Sequence, residues 1–326
     1  MLGFDEAKLK EINGEYTAAE ICQQPETWVR AFIEDVTTLS DYEVILTGAG
    51  SSEYVGNALL PALIKPLNGH VRSVGTTDIV ASPHVYLPVN KPVLMVSFAR
   101  SGNSPESIGA VKAADALSKS IRHVFITCNS EGALAKEGEK RDDVLSIVLT
   151  PETHDKSFAM TSSLTNMYLA AHIAFLGLSS AWTEVIENAS DFLNEDYQMI
   201  TDFLAGKSFK RVVYLGSDSL KGIAQESALK MLELTAGKIT SVFDTPMGFR
   251  HGPKSIIDND TLTVVYISDR KETRKYELDL LAELYRDKKE SFVIAVVNTG
   301  IEDVEEISDL VVCLGRGKEL ENSYLA

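Results

Sequence analysis

Val44-Ile45-Leu46-Thr47-Gly48-Ala49-Gly50-Ser51-Ser52 is the stretch on which the fold turns. An apolar run stops at a glycine and passes at once into small, hydroxyl-bearing residues that open a helix. That is a strand–turn–helix crossing, the unit from which parallel sheets are built. A second copy runs Leu94-Met95-Val96-Ser97-Phe98-Ala99-Arg100-Ser101-Gly102-Asn103-Ser104-Pro105. At a helix start the backbone N–H groups are unpaired and the dipole is positive, so an anion is welcome. Two such turns point to a pocket for a phosphorylated small molecule.

Working outward, strands are predicted at 43–48, 71–75, 93–98, 122–127 and 144–149, with helices at 51–65, 104–118 and 131–138. Residues 1–40 read as a helical segment, with Thr17-Ala18-Ala19-Glu20 as a helix start. Residues 156–205 read as two helices. The alternation then restarts, with strands at 211–216, 239–243, 262–267, 292–297 and 310–314 and helices at 219–236, 273–289 and 302–307. Tyr214-Leu215-Gly216-Ser217-Asp218-Ser219 repeats the opening device. The fold class is therefore α/β, two similar halves. The expected division is a helical segment 1–40, a first domain 41–180, a helical connection 181–205 and a second domain 206–326. A doubly wound half usually finishes on a helix, so the sequence reads as stopping short at its C-terminal end.

Bulk properties narrow the partners. The chain has 326 residues, 44% of them hydrophobic, enough for one large or two ordinary cores. Its formal charge of −16 disfavours nucleic acid and anionic membrane surfaces. The N-terminus lacks the basic-then-apolar order of a signal peptide. The run Met167–Leu178 is too short to span a bilayer. Cys22, Cys128 and Cys313 have no metal-ligand spacing and read as reduced core thiols of a cytoplasmic protein. No metal or cofactor is signalled.

Three constellations carry chemistry. At 99–105, Pro105 suits the first helical position and Ser104 the cap before it. One cap needs one hydroxyl, whereas Arg100, Ser101, Gly102 and Asn103 crowd the same turn. Ser101 and Ser104 offer donors to an anion; Arg100 reads equally as an anion partner or a surface charge. The turn at Gly48–Ser52 lacks a third glycine in dinucleotide spacing, which ranks a small phosphate above a nicotinamide cofactor. On the helix at 219–236, Glu226, Lys230 and Glu233 share one face, as a solvated stripe or as a proton-transfer site. His251, in Gly248-Phe249-Arg250-His251-Gly252-Pro253-Lys254, lies on a loop whose glycines and proline cost entropy unless the geometry is used.

Together with Phe158-Ala159-Met160-Thr161-Ser162-Ser163 and Thr235-Ala236-Gly237-Lys238, these motifs resemble the sugar isomerase (SIS) family. The likeness covers nearly the whole chain. It is strongest to the AgaS-type tagatose-6-phosphate ketose/aldose isomerases, also described as galactosamine-6-phosphate deaminase/isomerases. The resemblance implies two SIS domains, each a doubly wound five-stranded parallel sheet. By it Ser52, Ser101 and Ser104 match phosphate-binding positions; Ser51 and Arg100 on the same turns are read as phosphate-binding with them, and Gly50, Asn103 and Ser162 as further substrate contacts. Glu233 would be the carboxylate that moves a proton between C1 and C2. Lys230 would assist it on the same helix. His251 would open the sugar ring, donated by a neighbouring subunit of a homodimer or larger homo-oligomer. The implied substrate is a phosphorylated amino sugar, with no cofactor. The broader family includes the isomerase half of glucosamine-6-phosphate synthase, whose pattern has serine and glutamine where this chain has Ala99 and Arg100, and a second lysine where it has Leu232. AgaS-type chains also continue past the point where this one stops.

Overall fold

A computed structural model describes residues 2–28, 42–315 and 317–326. The chain forms two compact units, Asp5–Ser179 and Ser180–Ala326, the latter including Met1–Phe4.

In the first unit, helix α1 (Glu6–Glu11) is capped by Asp5, whose carboxylate accepts the Lys8 N–H at 2.7 Å. It ends where Asn13 takes a positive φ, and α2 (Glu15–Trp28) starts immediately after Gly14. The expected start at Thr17 is thus two residues late, because the Asn13-Gly14 break resets the helix earlier. The rest of the predicted helical segment, 29–40, lies outside the described residues.

The sheet follows as β1 (Glu43–Gly48), α3 (Ser51–Ile64), β2 (Val71–Gly75), α4 (Thr76–Ala81), α5 (Pro83–Tyr86), β3 (Val93–Ala99), α6 (Pro105–Leu117), β4 (Ile121–Thr127), α7 (Ala133–Gly138), β5 (Val144–Val148) and α8 (Ser162–Leu176). All neighbours are parallel, in the order β2-β1-β3-β4-β5. Every residue of β3 is buried, as a central strand covered on both faces requires. On one face Ile45, Val93 and Met95 pack with Ile79, Ala110 and Ala114 of α4 and α6.

The second unit opens with α9 (Ala181–Asp191), a π-turn at Phe192–Asp196 and α10 (Gln198–Leu204). The stretch 156–205 therefore holds two helical runs, Ser162–Leu176 and 181–204, the second divided by the π-turn. The sheet unit continues with β6 (Arg211–Leu215), α11 (Ser219–Leu234), β7 (Thr240–Asp244), α12 (Pro246–Phe249), β8 (Thr261–Tyr266), α13 (Lys271–Asp287), β9 (Phe292–Val297), β10 (Leu310–Cys313) and α14 (Asn322–Leu325). The strand order, β10-β9-β8-β6-β7, is the same topology as in the first unit, again all parallel. The helix expected at 302–307 is two 3₁₀ turns, Ile301–Asp303 and Glu305–Ile307. Two pairs of acids, Glu302-Asp303 and Glu305-Glu306, flank Val304 and leave that segment little apolar face to pack. No helix of the described residues is long and apolar enough to cross a membrane.

Candidate functional site

The mouth of the first sheet is built on two turns. β1 ends at Gly48, where a Cβ would stand 2.4 Å from the backbone carbon of Ser52. Only glycine lets α3 come that close. Gly50 caps α3 at φ 57° and ψ −129°, a region that disfavours side chains. Ser51 and Ser52 then form the buried first turn, and the Ser52 hydroxyl donates to the Met160 thioether at 3.8 Å. Beside it, Ser104 caps α6, its Oγ accepting the Ser107 N–H at 3.1 Å, with Pro105 in the first helical position. Ser101 Oγ accepts the Asn103 N–H at 3.3 Å, and Asn103 Oδ1 accepts the Ala133 N–H at 2.9 Å at the start of α7. The first unit thus brings Gly50, Ser51 and Ser52 to the start of α3, and Ser101, Asn103 and Ser104 to the start of α6. Asn103 spends its side-chain oxygen on α7.

Two residues are committed in ways their sequence positions did not show. Arg100 donates from Nη1 to the Ser157 carbonyl at 2.9 Å and the Phe158 carbonyl at 3.4 Å, so it holds a loop. Ser162 is fully buried; its hydroxyl donates to the Glu20 carbonyl at 2.6 Å and accepts from Gln23 Nε2 at 3.0 Å. That hydroxyl anchors α8 against α2. Asp155 completes the anchorage, accepting N–H groups from Thr161 at 2.8 Å, Ser162 at 3.1 Å and Ser163 at 2.9 Å. Sequence reasoning passed over Glu20, Asp155 and Met160, whose roles depend on partners that no local pattern marks. Glu53, on α3 directly after Ser52, has its carboxyl pushed above the usual range by burial and by the nearby Asp78.

In the second unit the helical stripe does assemble. Lys230 Nζ lies 2.6 Å from Glu233 Oε2 and 2.9 Å from Glu226 Oε1, with all three side chains largely buried. Burial and pairing on both sides separate this triplet from a solvated ion-pair stripe. His251 is exposed on the turn after α12. That turn is stapled to α13 on both flanks: Arg250 meets Asp279 at 2.8 Å and Glu283 at 2.9 Å, while Lys254 pairs with Glu283 and with Asp287. The Asp279 carboxylate, with Glu283, holds the Arg250 pKa above its ordinary value. The backbone that presents the imidazole is therefore fixed by three acids of one helix.

Two other polar clusters are largely closed by their own hydrogen bonds, although the buried His123 Nδ1 in the first finds no partner among the described residues. Asp115, His123 and Asp143 bring three potential ligand atoms within 4.8 Å of one another. The Arg141 guanidinium already fills that space, at 2.7 Å from Asp115 Oδ2 and 2.7 Å from Asp143 Oδ2. In the second unit a cavity of about 670 Å³ lies beyond the ends of β9 and β10. Its Asp269 accepts from Asn298 at 2.6 Å, Thr299 at 2.7 Å and the Leu320 N–H at 2.9 Å. Its Arg274 donates to Asp303 at 3.0 Å and to the Gly300 carbonyl at 2.8 Å. These groups close the local chain on itself.

Comparison with known proteins identifies a SIS domain over residues 40–177. D-galactosamine-6-phosphate deaminase AgaS of Escherichia coli O157:H7 is 41% identical over 300 residues, covering 87% of this chain and 78% of that protein. The protein of the same name from Shewanella sp. (strain ANA-3) is 41% identical over 304 residues, covering 89% and 78%. Among solved structures, tagatose-6-phosphate ketose/aldose isomerase from Escherichia coli superposes with a TM-score of 0.88 at 36% identity, covering 96% of this chain and 89% of that one.

Proposed function

Since this chain belongs to the sugar isomerase (SIS) family, in its AgaS-type branch, we propose that it is an isomerising deaminase of an amino-hexose 6-phosphate. Galactosamine 6-phosphate is the substrate and tagatose 6-phosphate plus ammonia are the products. The observation that carries the chemistry is the Lys230–Glu233 pair at 2.6 Å on α11. It supplies a base held in place by a cation.

In this scheme each unit is a doubly wound SIS domain, and the first provides recognition. Ester oxygens take N–H groups and hydroxyls from Gly50, Ser51 and Ser52 at the start of α3 and from Ser101 and Ser104 before α6. The second provides proton transfer. His251 moves the proton that opens the ring, from a neighbouring subunit in a homo-oligomer. Glu233 takes the proton at C2 and returns it at C1 through an enolamine. Lys230 stabilises the negative charge that develops meanwhile. Water then adds to the imine at C2, and ammonia leaves.

The test is a panel of hexosamine and neutral hexose 6-phosphates, with ammonia and ketose followed together. Stoichiometric ammonia and ketose from galactosamine 6-phosphate is the expected result. Ketose formed only from a neutral aldose 6-phosphate would make the chain a simple isomerase. Tight binding of the sugar phosphates without turnover would make it a sensor.

A further inference from the structure

Residues 156–160 form a short strap whose Met160 thioether reaches the Ser52 hydroxyl at 3.8 Å. The backbone of this strap is held at several points. Its start is bound by the Glu20 carboxylate of α2, whose Oε1 accepts the N–H groups of Lys156 and Ser157, the first at 2.5 Å and the second at 3.3 Å. The middle is bound by Arg100 through the carbonyls of Ser157 and Phe158. Asp155 binds the residues that follow, through Thr161, Ser162 and Ser163. Glu20 is only 6% exposed and lies on a helix ahead of the matched SIS segment. Among the described residues no cation pairs with this carboxylate and Oε2 has no partner, so the two strap amides on Oε1 are what offsets its burial. Phe158, by contrast, is 78% exposed on this tethered backbone.

Resting on the phosphate site proposed above, we infer that Glu20 is a positioning residue for that site: with Arg100 it pins the 156–160 strap against the Ser52 turn. Arg100 then acts on the strap and not on the phosphate. The helix before the first sheet becomes part of the active-site scaffold.

Chymotrypsin can read the strap directly, because Phe158 is its exposed cleavage point. Glu20→Ala is expected to speed cleavage after Phe158 about tenfold. It also raises KM for galactosamine 6-phosphate and Ki for inorganic phosphate together, about tenfold each, while kcat falls less. Glu20→Gln keeps an acceptor oxygen without the charge and falls between the two. Gln24→Leu, which removes a 2.7 Å bond between Thr165 and the same helix but leaves the strap alone, changes neither cleavage nor KM. That control separates loss of α2 packing from loss of the strap. Cleavage at the wild-type rate in Glu20→Ala overturns the inference, as does faster cleavage with KM and Ki unchanged. So does wild-type cleavage that neither the sugar phosphate nor inorganic phosphate slows. Absence of ammonia release by the wild type counts against the proposed reaction only, since strap cleavage and phosphate protection are read without turnover.

Discussion

The two sheets carry the same turn with different chemistry. Gly50 caps α3 at φ 57° and ψ −129°, and Asp218 caps α11 at φ 60° and ψ −132°. Gly48 and Gly216 admit the helix equally closely, each within 2.4 Å of where a Cβ would be. Strand registers correspond too, Val44 pairing with Leu94 and Val212 with Leu262. Where the first unit has Gly50 and Ser52, however, the second has Asp218 and Leu220. Seven residues past the paired leucines stand Ser101 in one and Asp269 in the other. In the second unit, moreover, Glu277 is buried beneath the turn and accepts the Ser268 N–H at 2.7 Å. The backbone device thus belongs to the fold, whereas the side chains it presents differ between the two mouths. In the scheme proposed above, the Asp218 and Asp269 carboxylates at the second mouth would repel the phosphate that the hydroxyls of the first take.

The largest effect should come from the unit assigned to proton transfer. Glu233→Gln is expected to lower kcat about a thousandfold while inorganic phosphate still competes at its wild-type Ki. Retained turnover would remove the base and, with it, the division of labour between the units.

Acid should separate the units next. Burial lowers the pKa of His172 to about 4 and that of His123 below its ordinary value, both in the first unit. The unfolded chain takes up these protons first, so the stability they confer is complete above pH 6.5 and drains as pH falls toward 4. For His172 the loss is about 3 kcal/mol. Glu277 in the second unit and Glu53 in the first run the other way: burial raises each pKa, so their contribution is present at low pH and lost as pH rises through the raised value, and in the first unit Glu53 offsets part of the histidine term. Calorimetry from pH 7 to pH 4 should show the first unit's transition falling relative to the second's. Transitions that shift together, or no change in that limb for His172→Gln, would break this contrast.

Third in size is Gly50→Asp, which writes the second mouth's residue into the first. Asp218 proves that an aspartate can hold this backbone, so the fold should survive at a cost of about 1 kcal/mol. KM for the sugar phosphate should rise ten- to hundredfold through like-charge repulsion. An unchanged KM would move the phosphate elsewhere. The smallest effect is expected from Leu220→Ser in the second unit. Titration calorimetry should still find one sugar phosphate per chain, because Asp218 and Asp269 remain. A second equivalent would show that the hydroxyl alone decides.

Much of this was legible in advance. The strands 43–48, 71–75 and 292–297 match residue for residue, and the other seven lie within one residue of their predicted ends. The Glu226–Lys230–Glu233 face was read from helical spacing and does assemble. By contrast, the short helices α4 and α5 were not foreseen, since six and four residues are too few for periodicity to show. Arg100 and Ser162 were named for the substrate, and reading along the chain did not show the Ser157 and Glu20 carbonyls to which they donate.

Local order was therefore decided by the amino-acid sequence alone. Apolar runs, glycine turns and helix caps act over a few neighbouring residues, so reading along the chain finds both sheets and both turns. What each polar side chain does was decided only in three dimensions. Glu20 meets amides 136 and 137 residues away, and Arg100 meets carbonyls 57 and 58 residues away. A hydrogen bond depends on a few tenths of an ångström and on direction, and no spacing in a linear sequence encodes either across such gaps.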